Sequence, residues 1–136
     1  YLIAINNSDQ SLKIFGLDRI SELSISDQGF IYPKINVEAM FRNCFGIIND
    51  EDYEAEEIIL SFTNHQAKYI KSLPLHHSQE IIYEGTEHTH FKLLVKPTYD
   101  FMMEILSHGK EVQILEPAYV REELKDILSI TLNLYK

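Results

Sequence analysis

The chain has 136 residues, 45% of them apolar and 11% aromatic, and a formal net charge of −9. Such a composition is globular rather than disordered, and a chain of this length buries roughly two-thirds of the surface its unfolded form exposes. A single cysteine, Cys44, excludes an internal disulfide and a multi-cysteine metal site, so a reducing cytoplasm is the expected setting. No apolar stretch approaches a membrane span and no charged-then-apolar leader precedes the fold, so no membrane partner is expected. The charge is uneven: residues 1–45 carry four basic and five acidic side chains, residues 46–136 eight and sixteen. The second part therefore repels a phosphate backbone.

Residues 1–5, YLIAI, read as a strand, and NNSDQ at 6–10 as a turn built from side chains that bond their own backbone. In SLKIFGL, Leu12 and Ile14 alternate with Lys13 and Phe15. After DRI the same period of two recurs at Leu23 and Ile25, which predicts a meander of three antiparallel strands over 1–28. Residues 29–53, with Gly29 and Pro33, read as a linker. It holds a short helix from about Asn36 that turns Met40, Phe41, Cys44 and Phe45 toward a core and stops at Gly46.

From Glu54 strands and helices alternate. EEIILSF is a strand, and TNHQAKYIKSL a helix capped by Thr63 or Asn64, facing inward through Ala67 and Ile70 and closed by Pro74. QEIIYE and HTHFKLLVK form two strands around Gly85, the second with Phe91, Leu93 and Val95 inward and His90, Lys92, Leu94 and Lys96 outward. Thr98 caps a helix striped by Phe101, Met102, Ile105 and Leu106 that ends at Gly109. EVQIL is a fourth strand, and Pro117 begins a last helix with Val120, Leu124, Ile127, Leu128, Thr131 and Leu134 on one side. The class is α+β: residues 54–136 follow the βαββαβ order of a ferredoxin-like domain with an extra C-terminal helix. The leading meander, with one apolar face and uncovered edges, needs partners.

Several motifs in order make the chain resemble the C-terminal part of a WYL-domain transcriptional regulator. Tyr1-Leu2 stands at the Y and L of the name-giving motif, followed by Phe15, Leu17, Asp18, Arg19 and Ile20, then FRNCFGI at 41–47. YIKSLPLHHSQ at 69–79, ILSHGKEVQILEP at 105–117 and VREELKDILSITLNLYK at 120–136 resemble the family's C-terminal extension, with His77 where the family usually has Pro. The resemblance implies that 1–28 are the last three strands of a five-stranded Sm-like, SH3-type barrel whose first half lies upstream. It also implies an upstream helix-turn-helix that binds promoter DNA, a homodimer built with the extension, and a nucleotide or oligonucleotide effector sensed by the barrel.

Arg19 is the leading ligand-binding candidate: it follows a strand, and its guanidinium offers a fork of donors suited to phosphate oxygens. The plainer reading pairs it with Asp18 or Glu22 as a pin for the turn. Tyr1 and Lys13 would add a stacking surface and a second positive charge, or are ordinary surface residues. His76, His77, His88 and His90 with Glu84 or Glu87 invite a metal site, but their spacing fits no standard pattern, so no metal and no cofactor is expected. His76 is expected to order the loop after Pro74. No catalytic residue is expected: Cys44 lies on the inward side of a helix, and Ser78 beside His77 has no orienting partner in sequence. The expected function is effector sensing and dimerisation in a WYL-type regulator, without enzyme activity. The rival is a small-metabolite-binding ferredoxin-like regulatory module, which would respond weakly to salt where an oligonucleotide would respond steeply.

Overall fold

In the computed structural model, which describes residues 1–136, Leu2–Ile5 (β1) and Leu12–Phe15 (β2) form an antiparallel hairpin with Leu2 opposite Phe15 and Ile5 opposite Leu12. The polar loop closes as its side chains dictate. Asn6 Oδ1 accepts the Ser8 amide at 3.2 Å, Asp9 Oδ1 accepts the Ser11 amide at 3.0 Å, and Gln10 takes the left-handed conformation at φ 58°. The register puts Ile3, Ile5, Leu12 and Ile14 on one face and Leu2, Ala4, Lys13 and Phe15 on the other.

The third strand of the expected meander does not form. After a single 3-10 turn at Leu17–Arg19 the chain reaches Glu22, whose φ of 54° breaks the extended run, and Leu23 and Ile25 are 87% and 100% exposed. Alternation gives a segment two faces, but a strand is held only by a pairing edge, and none is engaged here. β1 and β2 pair only with each other, so no barrel is closed and the three-strand description is corrected to two.

The chain divides into two compact units, Tyr1–Asn36 and Val37–Lys136. The second begins with the helix Val37–Phe41 (α1), which ends well before Gly46. It continues as Glu56–Thr63 (β3), Asn64–Ser72 (α2), Glu80–Glu84 (β4), His88–Val95 (β5), Tyr99–Ser107 (α3), Val112–Glu116 (β6) and Ala118–Asn133 (α4). Its four strands lie in the order β4-β5-β3-β6, with every neighbouring pair antiparallel. Strand alternation sends Ile58, Leu60, Phe62, Phe91, Leu93, Val95 and Ile114 into one core with Ala67 and Ile70 of α2, Phe101, Met102 and Ile105 of α3, and Val120 and Leu124 of α4. Phe62 and Phe91 meet edge to face at 5.8 Å. Each such ring contributes roughly 1.5–3 kcal/mol by leaving water.

Helix entry is set locally. Thr63 accepts the Gln66 amide at 3.4 Å at the start of α2, and Pro117 precedes α4 where its missing N–H costs nothing. On the other face of the sheet, Glu57, Ile59 and Ser61 of β3 alternate with the core positions, beside His90, Lys92 and Leu94 of β5 and Gln113 and Leu115 of β6.

Candidate functional site

Because Leu2 pairs with Phe15, Tyr1 and the Leu17–Arg19 turn share one end of the hairpin, whereas Lys13 lies two residues back along β2, opposite Ala4 and roughly 7 Å from Phe15, toward the turn. Tyr1 is 67% exposed. The Arg19 side chain is 81% exposed, with Nε 3.9 Å from Asp18 Oδ2, and both groups fold back over Gly16. A contact at that distance and exposure contributes little and leaves most of the guanidinium fork facing solvent. Lys13 Nζ stands 3.6 Å from Asp9 Oδ2, also in solvent. The hairpin thus places Tyr1 and Arg19 at one end and turns Lys13 toward the other, without burying any of them.

Beside β1, Phe30–Lys34 runs without strand pairing and leaves an open, mainly apolar groove of about 700 Å³ against Leu2 and Ile5. Phe30 and Tyr32 approach at 5.4 Å between ring centres. None of Tyr1, Lys13 and Arg19 lines it. The aromatic run FIY before Pro33 was the available signal, within a segment that otherwise reads as linker.

The FRNCFGI motif is a clasp. The Asn43 carbonyl accepts the Lys96 amide at 2.8 Å, and Phe45 packs edge to face on Phe101 at 5.8 Å. Gly46 sits at φ 72° where a Cβ would overlap the Asp100 carboxylate, whose Oδ2 accepts the Ile47 amide at 3.1 Å. Lys96 Nζ donates to Asn49 Oδ1 and the Asp50 carbonyl. Cys44 is buried, its thiol contacts the Met40 carbonyl, and burial pushes its pKa up, which keeps it an unreactive thiol.

The four candidate histidines stand in two separate pairs. His76 and His77 stack at 4.1 Å between centroids, with His76 Nδ1 2.7 Å from Ser78 Oγ and His77 Nε2 2.5 Å from the Arg42 carbonyl. Ser78 Oγ accepts the Leu94 amide at 2.9 Å, so this pair is tied to the far end of β5. His88 and His90 lie at its other end, the nearer, His90, four residues or about 13 Å from Leu94. Glu84 pairs with Lys71, and no group of three or more His, Cys, Asp or Glu side chains is placed to hold a metal ion. His76 also accepts the Ser78 amide at 3.2 Å, and burial, then the neighbouring His77, pull its pKa down.

The stripe of α4 divides. Val120 and Leu124 are buried and Ile127 packs on the core, but Leu128 and Leu134 of the same stripe are 50% and 80% exposed, as are Ile130 and Leu132 outside it at 65% and 60%. Residues 54–130, from β3 into this stripe, match the model of the WCX domain. The chain belongs to the WCX-domain family. WCX is the C-terminal extension of WYL-domain regulators, so the match agrees with the motifs read from the sequence and assigns the chain to the C-terminal part of such a regulator. A comparison with curated proteins finds no match. No helix is long and apolar enough to cross a membrane.

Proposed function

We propose that this chain senses an effector and pairs two copies of a DNA-binding WYL-type regulator, and that it performs no catalysis. In this reading the hairpin is part of an Sm-like barrel, the WCX unit is ferredoxin-like, and the promoter is read by a helix-turn-helix elsewhere in the regulator. The observation that carries it is the WCX match together with the uncovered apolar half of α4. A helix whose first turns are packed and whose last turns present Leu128 and Leu132, four residues apart on one side, to water fits a face that closes on a second copy. The open guanidinium of Arg19, with Tyr1 at the same hairpin end, fits a phosphate-bearing effector. Binding there shifts the population of arrangements available to the pair and so the spacing of the DNA-binding heads. The absence of catalysis is supported by the occupied Ser78 hydroxyl and the buried, raised-pKa Cys44.

Sedimentation and oligonucleotide titration test the two halves of the reading. The chain is expected to sediment as a dimer and Leu132→Asp as a monomer with an unchanged helical spectrum. Short oligonucleotides should bind with a steep salt dependence that Arg19→Ala weakens. Equal affinity for both proteins removes Arg19 from the site.

A further inference from the structure

The open face of the WCX sheet holds a row of side chains that crosses all four strands: Tyr83 of β4 beside His90 of β5, Ser61 of β3 beside His90, and Gln113 of β6 beside Ser61. The row is uneven in a way that creates space. Ser61 is the small residue in the middle, flanked by two rings on one side and a carboxamide on the other, and its neighbours wall a groove of about 420 Å³ over it. Ser61 is only 6% exposed, yet its side chain makes no hydrogen bond within the chain, unlike the nearby Thr63 and Thr89 hydroxyls, which bond Glu111 and Asn64. The Ser61 hydroxyl is not sealed from solvent, so its hydrogen-bonding capacity faces the groove, where water or a ligand can meet it.

The lining chooses the chemistry. Ser61 and Gln113 each donate and accept, so the floor suits a ligand edge that carries a donor beside an acceptor. Tyr83 and His90 lie 4.8 Å apart between ring centres, and the Tyr83 ring is 54% exposed, a flat apolar surface for a planar partner. No lysine or arginine lines the groove, which Glu87, His88 and His90 share, so it offers phosphate no permanent positive charge. We infer that this groove binds an uncharged planar nitrogen heterocycle with adjacent donor and acceptor, the pattern of a nucleobase, and that it prefers the unphosphorylated form. The site is separate from the Arg19 surface, which suits anions and lies in the other unit.

The test is a titration of the full chain, followed by amide chemical shifts, with adenosine, cytidine, ribose and adenosine 5′-monophosphate. Saturable shifts are expected for at least one nucleoside in the millimolar range or below. They should be confined to the amides around residues 61, 83–90 and 113–115, weaker for the monophosphate and undetectable for ribose. Ser61→Ala should weaken binding about three- to tenfold, the loss of one hydrogen bond. Gln113→Leu at the exposed rim should do the same without touching the core, and Arg19→Ala should leave binding unchanged. The inference is overturned by the absence of saturable shifts with either nucleoside, by shifts that persist equally in Ser61→Ala and Gln113→Leu, or by tighter binding of the monophosphate or of ribose. Each outcome is independent of whether oligonucleotides bind at Arg19, so failure here and failure there are distinguishable.

Discussion

The strands of the first unit are the more apolar, seven residues of eight against 14 of 26 in the second, yet the first is the less self-sufficient of the two. In Tyr1–Asn36 no residue is buried, and Leu23, Ile25, Phe30, Ile31 and Tyr32 are each more than three-quarters exposed. In Val37–Lys136 the strands β3, β5 and β6 send alternate side chains into a single core closed by three helices, while the edge strand β4 stays exposed. The difference lies in pairing, because β3 has a partner on each side whereas β1 and β2 have only each other. A two-stranded ribbon is marginal in water however apolar its faces, while four strands under helices bury enough to offset the entropy of ordering them.

The sharpest way to break that contrast is to remove one ring from each unit. Phe62→Ala deletes a fully buried side chain that touches Phe91 and the ring of His108, and should destabilise the WCX unit by about 3–5 kcal/mol in a denaturant titration. Phe15→Ala removes a ring that is 43% exposed on the hairpin and should leave the same transition within about 0.5 kcal/mol. Similar losses from the two substitutions would show that the hairpin shares the core's cooperativity. The next effect is at the clasp. Gly46→Ala forces a left-handed residue to carry a Cβ into the Asp100 carboxylate, and should cost about 1–3 kcal/mol. Measured against Asp100→Ala alone, which loses the bond to the Ile47 amide, adding Gly46→Ala should cost only the backbone part, so the cycle separates the two causes.

Most of the WCX unit was legible because period and punctuation agreed there. Phe91, Leu93 and Val95 alternate on β5 as read, Thr63 caps α2, and Pro117 opens α4, each a local rule acting within a few residues. What was illegible depended on distant partners or on single dihedrals. Leu23 and Ile25 alternate as well as Leu12 and Ile14 do, but the left-handed Glu22 and the lack of an edge to join carry no signature in composition. Among the candidate site residues, the register brings Tyr1 and Arg19 to one end of the hairpin and leaves Lys13 beside the turn, whereas the neighbouring groove built by Phe30–Lys34 was hidden inside an apparent linker. Ser61 gave no signal at all. A serine at an outward strand position is ordinary until the strand order places it between a ring and a carboxamide.

The smallest expected effect is on pH, and it separates the two units by a different means. His76 is held below the ordinary imidazole pKa by burial and then by the stacked His77, so the folded WCX unit favours its neutral form while the unfolded chain does not. Between the folded and unfolded values the unfolded chain binds more protons, so stability is complete above about pH 6.5 and declines as pH falls through and below it. The groups facing this pair are Ser78, which shares His76 Nδ1, and the Arg42 carbonyl at His77; Glu38 and the Arg42 side chain share the adjoining groove with His77. Denaturation midpoints taken between pH 7.5 and 5.5 should therefore fall, and His76→Asn should flatten the part of that slope that belongs to His76. The hairpin unit contains no histidine, so chemical shifts reporting on β1 and β2 should show no titration across this window. A slope that His76→Asn leaves unaltered would assign the acid sensitivity to another group and remove the stacked pair from the account.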